Sequence, residues 1–327
     1  MAWRLRLVPE KTNIDFFRWQ NITFGASLAA VLLTFVSLAV FGLNFGIDFR
    51  GGTTIRTEST QVIDVGDYRA ALAALNLGDV SITEVFDPAF REDQHVAQIR
   101  IEAHADAEAA SPETIMKVEE ALRAVDPSIT FPSVESVGPK VSGELIKSAL
   151  LAVAAGALGI GVYVWLRFEW QFAAGCVAAL LHDVIVTVGV FSVFQLKFDL
   201  TIVAALLTIL GYSVNDTVVI FDRLRENLQK YKTMPLRDMM NLTTNETLSR
   251  TIMTASTTLI SLTALLIFGG DVIRGFVFAM LFGVIVGSYS TLYVAKNIVL
   301  YLGVKRDWSK PSDDLPGPKG AQLYQGK

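Results

Sequence analysis

The chain has 327 residues, of which 52% are hydrophobic and 18% are charged, and its formal net charge is −4. Soluble domains carry about 25% charged residues, so this composition indicates a protein that is partly embedded in a membrane. The small negative net charge gives no reason to expect a nucleic-acid partner. A single cysteine excludes a disulfide framework or a cysteine-based metal site within the chain.

Six apolar segments are long enough to cross a bilayer as helices. A helix needs about 20 apolar residues to span ~30 Å of hydrocarbon. The predicted spans are 22–43, 145–166, 171–194, 200–221, 252–268 and 276–302. The first segment follows 21 mostly polar residues and is longer than the core of a signal peptide, so we interpret it as a retained anchor.

The basic residues near the ends of the spans predict the orientation, because Lys and Arg accumulate on the cytoplasmic side. The short connections on one side carry only Lys197 and Arg274, whereas Arg167 lies in the short connection on the other side and further basic residues cluster in 1–21, 222–250 and 303–310. We therefore expect residues 1–21 and the tail 303–327 to be cytoplasmic. The connection 222–249 mixes charged and apolar residues, which predicts a cytoplasmic amphipathic segment at the membrane surface with a break at Pro235.

Residues 44–144 have the pattern of a small folded domain on the far side, which would be the periplasm of a bacterium. Hydrophobic periodicity predicts strands at 53–57, 80–86, 96–101 and 129–137, and helices at 64–75 and 112–125. Ser111 and Pro112 are typical of the N-cap and the first residue of a helix. The order βαββαβ indicates a ferredoxin-like α+β domain. No nucleophile–base pair and no phosphate-binding loop is recognisable in it, so we expect a binding or mechanical module rather than an enzyme.

Polar residues inside the predicted spans are the strongest functional signal. An ionisable side chain at the middle of a span costs about 2.5–3.5 kcal/mol and usually faces a bundle interior or an aqueous path. Asp216 lies 16 residues after Leu200, about 24 Å from the outer end of its helix. Its neighbours Asn215, a further candidate for the proton relay, and Thr217 could hydrogen-bond either protonation state of Asp216. A carboxyl group there favours its neutral form unless a cation is near, so it is a candidate for proton exchange. The alternative is a neutral aspartate that only holds helices together.

Two other spans contain candidate partners for Asp216. Arg250 opens the fifth span and could hold the carboxylate ionised, although it could equally be an ordinary anchor at the interface. Asp183 lies near the middle of the third span and is a further candidate for a proton relay. Its neighbour His182 is more typical of a packing residue, because adjacent helix positions point about 100° apart. The sixth span carries small residues at four-residue spacing, which favours close helix packing: Gly275, Ala279, Gly283 and Gly287.

Five strings carry a resemblance to a known family. They are FGIDFRGGT at 45–53, VGPKVSGEL at 137–145, HDV at 182–184, GYSVNDTVVIFDRLREN at 211–227 and SRTIMTAST at 249–257. Together they resemble the SecF subunits of the SecD/SecF family, the preprotein-translocase auxiliary subunits of the RND superfamily. The resemblance extends from the first span to the end of the sixth.

The resemblance implies a function that composition does not show. SecF-type proteins pair with SecD, a similar six-span protein, and the pair joins the SecYEG channel; YajC and YidC are further candidate partners. The complex uses the proton-motive force to help preproteins cross the bacterial inner membrane. Asp216 and Arg250 match family positions implicated in proton conduction, and an intramembrane Asp of SecD would complete the relay. No cofactor is implied.

Two other functions stay open at this point. The chain could be half of an RND-type exporter for lipids or small molecules, although such exporters usually carry a larger region outside the membrane. It could also be a passive scaffold that only stabilises its translocase partners, in which case Asp216 and Arg250 would be dispensable. H⁺ suits a lone Asp/Arg pair better than Na⁺, because few additional oxygen ligands are present.

Overall fold

A computed structural model describes residues 9, 12–62, 64–85, 90, 91, 93–102 and 110–304. The predicted tail 303–327 and the first eleven residues therefore lie almost entirely outside the described residues. The elements in chain order are α1 (Gln20–Val40), β1 (Asn44–Phe45), α2 (Ile47–Arg50), β2 (Gly52–Ser59), α3 (Val65–Ala73), β3 (Val80–Val85), β4 (His95–Ile101), α4 (Pro112–Val125), β5 (Thr130–Val137), α5 (Pro139–Arg167), α6 (Trp170–Val193), β6 (Lys197–Phe198), α7 (Leu200–Lys230), α8 (Leu236–Phe268), α9 (Gly270–Ser290), a π-helical turn (Thr291–Ala295) and α10 (Lys296–Leu302).

Six helical stretches are long and apolar enough to cross a membrane, as the sequence predicts. They are Gln20–Val40, Val141–Arg167, Trp170–Val193, Leu200–Lys230, Leu236–Phe268 and Val272–Leu302. The last span is built from α9, the π-helical turn and α10. In the apolar 18-residue stretch of each span, half of the residues are buried in α6 and in α7, but only 6% in α8. Helices α6 and α7 therefore form the centre of the bundle, and α8 lies at its surface.

The predicted surface connection 222–249 consists of the ends of two spanning helices and the short loop 231–235 that joins them. We call the ends of the spanning helices on the side of this loop their inner ends. Helix α7 continues to Lys230, and α8 begins directly after Pro235 and runs unbroken to Phe268. The apolar side chains that suggested a membrane-surface segment are buried in the hydrophobic core instead, because both helices extend beyond the apolar windows of the spans. The buried side chains are Leu224, Leu228, Met239 and Met240.

The segment before α1 lies along the inner part of α8, where two asparagines hold it. Ile14 N donates to Asn245 Oδ1 at 2.9 Å, and Asn245 Nδ2 donates back to Ile14 O at 2.9 Å. One turn earlier, Phe16 N donates to Asn241 Oδ1 at 3.0 Å. Because Asn241 and Asn245 are four residues apart, they share one face of α8 and bind consecutive parts of an extended segment.

The buried side chain of Lys296 fixes the same region to α10. Lys296 is 1% exposed, and its Nζ donates to Thr244 Oγ1 of α8 at 2.9 Å. The same Nζ lies 4.5 Å from the ring centroid of Phe16 and 5.3 Å from that of Phe17, within the range of cation–π interactions. The inner part of α8 is therefore attached both to the N-terminal segment and to α10.

Close packing of α9 against α7 confirms the expected role of the small-residue stripe. A Cβ atom added at Gly283 would lie 2.3 Å from Ile209 Cδ1. One added at Gly287 would lie 3.2 Å from Ser213 Cβ, and Ala279 is fully buried. The backbones approach closely only because these positions carry almost no side chain.

The α/β domain (residues 52–137) contains a four-stranded antiparallel sheet in the order β3-β4-β2-β5. With α3 and α4 this gives the predicted βαββαβ arrangement. The predicted start of α4 is confirmed: Ser111 Oγ accepts from Thr114 N at 3.2 Å, and Pro112 is the first helical residue. The core is formed by one face of the sheet and the two helices, with Ile55, Leu72, Ile99, Val118 and Leu122 almost fully buried.

We predict that Gly283→Val destabilises the bundle by about 1–3 kcal/mol, because the added atoms must displace Ile209 in a packed core. Gly159→Val is the matched control, since no atom lies within 4 Å of a Cβ added at Gly159 and that residue is exposed. Denaturant unfolding of the purified chain in mild detergent measures the difference. Equal loss of stability in both variants would contradict the proposed packing.

A second prediction concerns Asp126, a buried carboxylate that follows α4. It accepts from Ser128 N at 2.8 Å and Ser128 Oγ at 2.7 Å, and also from Ser59 Oγ. Burial by itself raises the pKa of Asp126, but the hydrogen bonds from Ser59 and Ser128 outweigh burial and lower this pKa below its usual value. Because the folded-state pKa is the lower one, the carboxylate stabilises the domain above about pH 4, and this stabilisation is lost as pH falls through the folded-state pKa.

We therefore expect Asp126→Asn to weaken the α/β domain at pH 7 and to reduce the loss of stability that the wild-type domain shows below about pH 4. Amide hydrogen exchange of β2 and α4, corrected for the intrinsic effect of pH, measures both effects. Identical acid profiles for the variant and the wild type would show that another group controls the acid sensitivity.

Candidate proton-relay site

Asp216 is buried in the middle of the bundle on α7. The residue is 4% exposed, and its Oδ2 atom has no hydrogen-bond partner among the described residues. The charge of Arg250 and the hydroxyl group of Thr254, both on α8, act on this carboxyl group. The carboxylate and the guanidinium form no direct salt bridge in the described part of the chain. The two groups interact, but neither is locked to the other.

The hairpin formed by α7 and α8 brings these residues to one depth. Asp216 lies 15 residues before Tyr231, and Arg250 lies 15 residues after Pro235, where the connection ends. At ~1.5 Å per residue, both lie about 22 Å along their helices from the connection. Thr254 follows Arg250 by four residues and therefore shares its face of α8.

A charged cleft lies at the inner ends of α5, α7 and α8. Its volume is about 490 Å³, and its charged lining residues are Arg167, Asp222, Arg223, Glu226, Glu246 and Arg250. Three pairs of these form salt bridges: Arg167 with Asp222 at 3.1 Å, Arg223 with Glu246 at 2.7 Å and Arg223 with Glu226 at 2.6 Å. Arg250 is thus accessible to solvent in the cleft and also acts on the buried Asp216.

Asn215 points away from this pair. It is exposed on the bundle surface although its neighbour Asp216 is buried, because successive helix positions point about 100° apart. On the same stripe of α7, Thr208 and Gly211 are also exposed. The structure therefore places Asn215 where another protein can contact it, and not beside the carboxyl group of Asp216.

Asp183 joins three helices at the centre of the bundle. Its Oδ2 atom accepts from Ser213 Oγ of α7 at 2.7 Å and from Ser290 Oγ of α9 at 2.9 Å. Its Oδ1 atom lies 3.1 Å from Nδ1 of His182, so these two neighbours meet despite the angle between their helix positions. Ser213 precedes Asp216 by three residues on α7, so the serine that donates to Asp183 lies within one helical turn of Asp216.

A second polar contact follows one turn further along α7. Thr217 Oγ1 lies 2.9 Å from Thr291 Oγ1, and Thr291 is the first residue of the π-helical turn. Such turns occur frequently at functional sites. The sequence reasoning above missed Ser213, Ser290 and Thr291. The run SYST at 288–291, in an otherwise apolar span, is the signal that would have indicated them.

Comparison with known proteins assigns the family. Residues 117–305 match the family model for the C-terminal part of the protein export membrane proteins SecD/SecF, and residues 36–61 match the SecD/SecF GG motif. The chain belongs to the SecD/SecF family. The larger match includes Asp183, Asp216 and Arg250, and the GG-motif match covers the chain from the end of α1 through β2.

Relatives within the SecD/SecF family extend over the whole chain. A protein translocase subunit SecF of Cereibacter sphaeroides is 71% identical over 323 residues, which cover 99% of each chain. SecF of Rhodobacter capsulatus is 64% identical over 96% of each chain. SecF of Rickettsia akari is 40% identical over 90% of this chain and 94% of its own.

Two solved structures of SecDF also match this SecD/SecF family member. The crystal structure of SecDF from Thermus thermophilus, a translocon-associated membrane protein, is 32% identical with a TM-score of 0.79 and matches 90% of this chain. A structure of SecDF in a super-membrane-facing form is 33% identical with a TM-score of 0.66 and matches 91% of this chain. The present chain spans only about 40% of the length of those solved chains.

We predict that Asp183→Ala destabilises the bundle by about 1–3 kcal/mol, because the buried hydroxyl groups of Ser213 and Ser290 lose their acceptor. Asp183→Asn keeps one acceptor oxygen and is expected to lose less stability. Ser261→Ala is the control, since that exposed hydroxyl bonds only to the carbonyl of Thr257 in its own helix, at 3.0 Å. Thermal unfolding in detergent compares the variants. Wild-type stability of Asp183→Ala would contradict the bridging role.

Proposed function

We propose that this multi-pass membrane protein is an auxiliary subunit of the Sec translocase, which couples proton movement to the export of preproteins together with a SecD-type partner. The observation that carries the proposal is the buried Asp216 beside Arg250, at the end of a charged cleft, in a member of the SecD/SecF family. The chain would lie in the bacterial inner membrane with both termini in the cytoplasm. The role requires no catalytic step by this chain.

The distribution of charges supports this orientation. The ends of α5 and α7 that border the charged cleft carry Arg167, Arg223 and Arg225, whereas the short connections on the opposite side carry only Lys197 and Arg274. Basic residues favour the cytoplasmic side. The cleft would then open to the cytoplasm, and the α/β domain would lie in the periplasm.

Protonation of Asp216 would change its attraction to Arg250. An ionised carboxylate attracts the guanidinium, and a neutral carboxyl group does not, so proton uptake weakens the link between α7 and α8. One proton that crosses a potential of 100 mV supplies about 2.3 kcal/mol, which shifts a two-state equilibrium about fifty-fold. This is sufficient to bias the position of two helices. The coupled ion would be H⁺, because a single titratable carboxyl group can bind a proton without the several oxygen ligands that a metal ion requires.

A SecD-type partner would complete the path. The matched SecDF chains contain a larger part without counterpart here, since this chain spans about 40% of their length. Asn215 and Arg250 are exposed polar groups in or next to spanning segments, where contact with hydrocarbon is unfavourable. A partner helix that covers them and supplies another carboxyl group would extend the relay. SecYEG, with YajC and YidC, would be the larger assembly in which the pair works.

We predict that Asp216→Asn abolishes the proton-dependent part of preprotein export, because the amide keeps the volume of the side chain but cannot titrate. Arg250→Gln should have the same effect, since it removes the charge that responds to Asp216. The measurement is export by membranes from cells that lack the native protein, with and without a proton-motive force.

Asp238→Asn is the matched control for charge removal. Asp238 lies in the first turn of α8, twelve residues before Arg250 and outside the apolar window, so we expect normal export. Full proton-dependent export by Asp216→Asn would refute the relay. If that variant were active while Gly283→Val was not, the chain would instead be a passive scaffold.

A further inference from the structure

The α/β domain is joined to the bundle by a short segment, residues 44–50, which we call the stem. Strand β1 of the stem pairs in parallel with β6, which is separated from α7 only by Asp199. Gly46 N then donates to Phe198 O at 2.8 Å. The stem therefore lies directly against the beginning of α7, the helix that carries Asp216.

A carboxylate from the stem caps α7. Asp48 Oδ2 accepts from Leu200 N, the first amide of α7, at 2.9 Å. The next amides are capped locally: Asp199 Oδ1 accepts from Thr201 N at 3.0 Å and from Ile202 N at 3.3 Å. The first amides of a helix have no partner within the helix, and the helix dipole favours an anion there. One of the two capping groups thus comes from the stem, 152 residues earlier in the chain.

An aromatic cluster makes this junction rigid. The ring centroids of Phe45 and Phe49 in the stem lie 6.1 and 6.0 Å from that of Phe198, and Phe191 at the end of α6 lies 6.0 Å from Phe198. Phe49, Phe191 and Phe198 are buried. Such pairs add stabilisation beyond the area they bury, so the stem is expected to follow α7 and not to slide over it.

The stem is also tied to the sheet of the α/β domain. Arg100 of β4 donates from Nη2 to Phe45 O at 3.1 Å, and Arg50 lies 3.6 Å from Glu102. Gly51 and Gly52 connect the stem to β2 with φ angles of +75° and +124°. Side chains rarely tolerate these angles, so glycine is required at both positions for the turn from the stem into β2.

We propose that Asp48 is a positioning residue that transmits movement of α7 to the α/β domain, which deepens the proposed function and rests on it. Leu200 and Asp216 are 16 residues apart on one unbroken helix, about 24 Å. A change in the charge of Asp216 that displaces α7 also displaces its first turn. The stem follows through the Asp48 cap and the Phe45–Phe49–Phe198 contacts, and Arg100 passes the movement to the sheet.

The test compares two caps of one helix. Asp48→Ala removes the cap that links α7 to the stem, whereas Asp199→Ala removes the local cap of the same turn and leaves the link in place. Allosteric couplings are typically worth about 5–150-fold, so we expect Asp48→Ala to lower the proton-dependent part of export by about fivefold or more. Asp199→Ala and Asp48→Asn, which retains an acceptor oxygen, should keep most of it.

A distance measurement provides a readout that a merely structural role would not change. Spin labels at Glu120→Cys in α4 and Leu150→Cys in α5, both exposed, report the position of the domain relative to the bundle in the full chain with its SecD-type partner. Asp216→Asn, which mimics the protonated state, should shift the distance distribution. The same change should have no effect when combined with Asp48→Ala, and should still shift it when combined with Asp199→Ala.

Three results would overturn the role of Asp48: no shift from Asp216→Asn, a shift that persists with Asp48→Ala, or equal loss of coupling in Asp48→Ala and Asp199→Ala. If Asp48→Ala does not accumulate, Asp48→Ser replaces it, because a serine hydroxyl is too short to reach Leu200 N. The export assay keeps the two proposals apart. An inactive Asp216→Asn variant with a persistent shift in Asp48→Ala would leave the proton relay intact and reject only the coupling.

Discussion

The Asp216 carboxyl group is held out of water, and any charge that it carries must be compensated by the protein. At an effective dielectric constant of about 20, two charges 4 Å apart attract by about 4 kcal/mol, and the attraction falls as the distance grows. A tight buried salt bridge would therefore cost more to open than the ~2.3 kcal/mol that one proton supplies across 100 mV. Asp216 and Arg250 interact without a direct salt bridge among the described residues, so no such buried pair has to be opened when Asp216 takes up a proton.

Helix α7 connects every part of this arrangement. Its first turn is capped by Asp48, its middle carries Ser213 and Asp216, and its inner end carries Arg223, which pairs with Glu246 of α8. The helix has 31 residues without a break, which corresponds to about 46 Å. A displacement of α7 at Asp216 would therefore also move both ends of the helix. The small-residue stripe of α9 lets this span pack closely against α7, whose Ile209 side chain fills the space beside Gly283.

Local patterns in the sequence predict the six spans and the order of elements in the α/β domain. They also single out Asp216 and Arg250 as candidate residues. Hydrophobic length, alternation and a charge inside an apolar run are visible without knowledge of the fold. The contacts of Asp183 with Ser213 and Ser290 were not predictable in this way, because they depend on which helices are neighbours. For the same reason the local pattern of residues 222–249 suggested a surface segment, although its apolar side chains face other helices.

The two halves of α8 differ in the contacts that hold them. The inner half is fixed by Asn241 and Asn245 to the N-terminal segment and by Thr244 to Lys296. In the outer half, the hydroxyl groups of Thr257 and several neighbours bond to carbonyls of their own helix instead of another one. Arg250 lies next to the fixed half, which is also joined to α7 by the Arg223–Glu246 salt bridge and by Asn227 Nδ2, which donates to Thr243 Oγ1 at 3.0 Å. Any displacement of α7 that follows a change of charge at Asp216 would extend toward the end of that helix where the stem is attached.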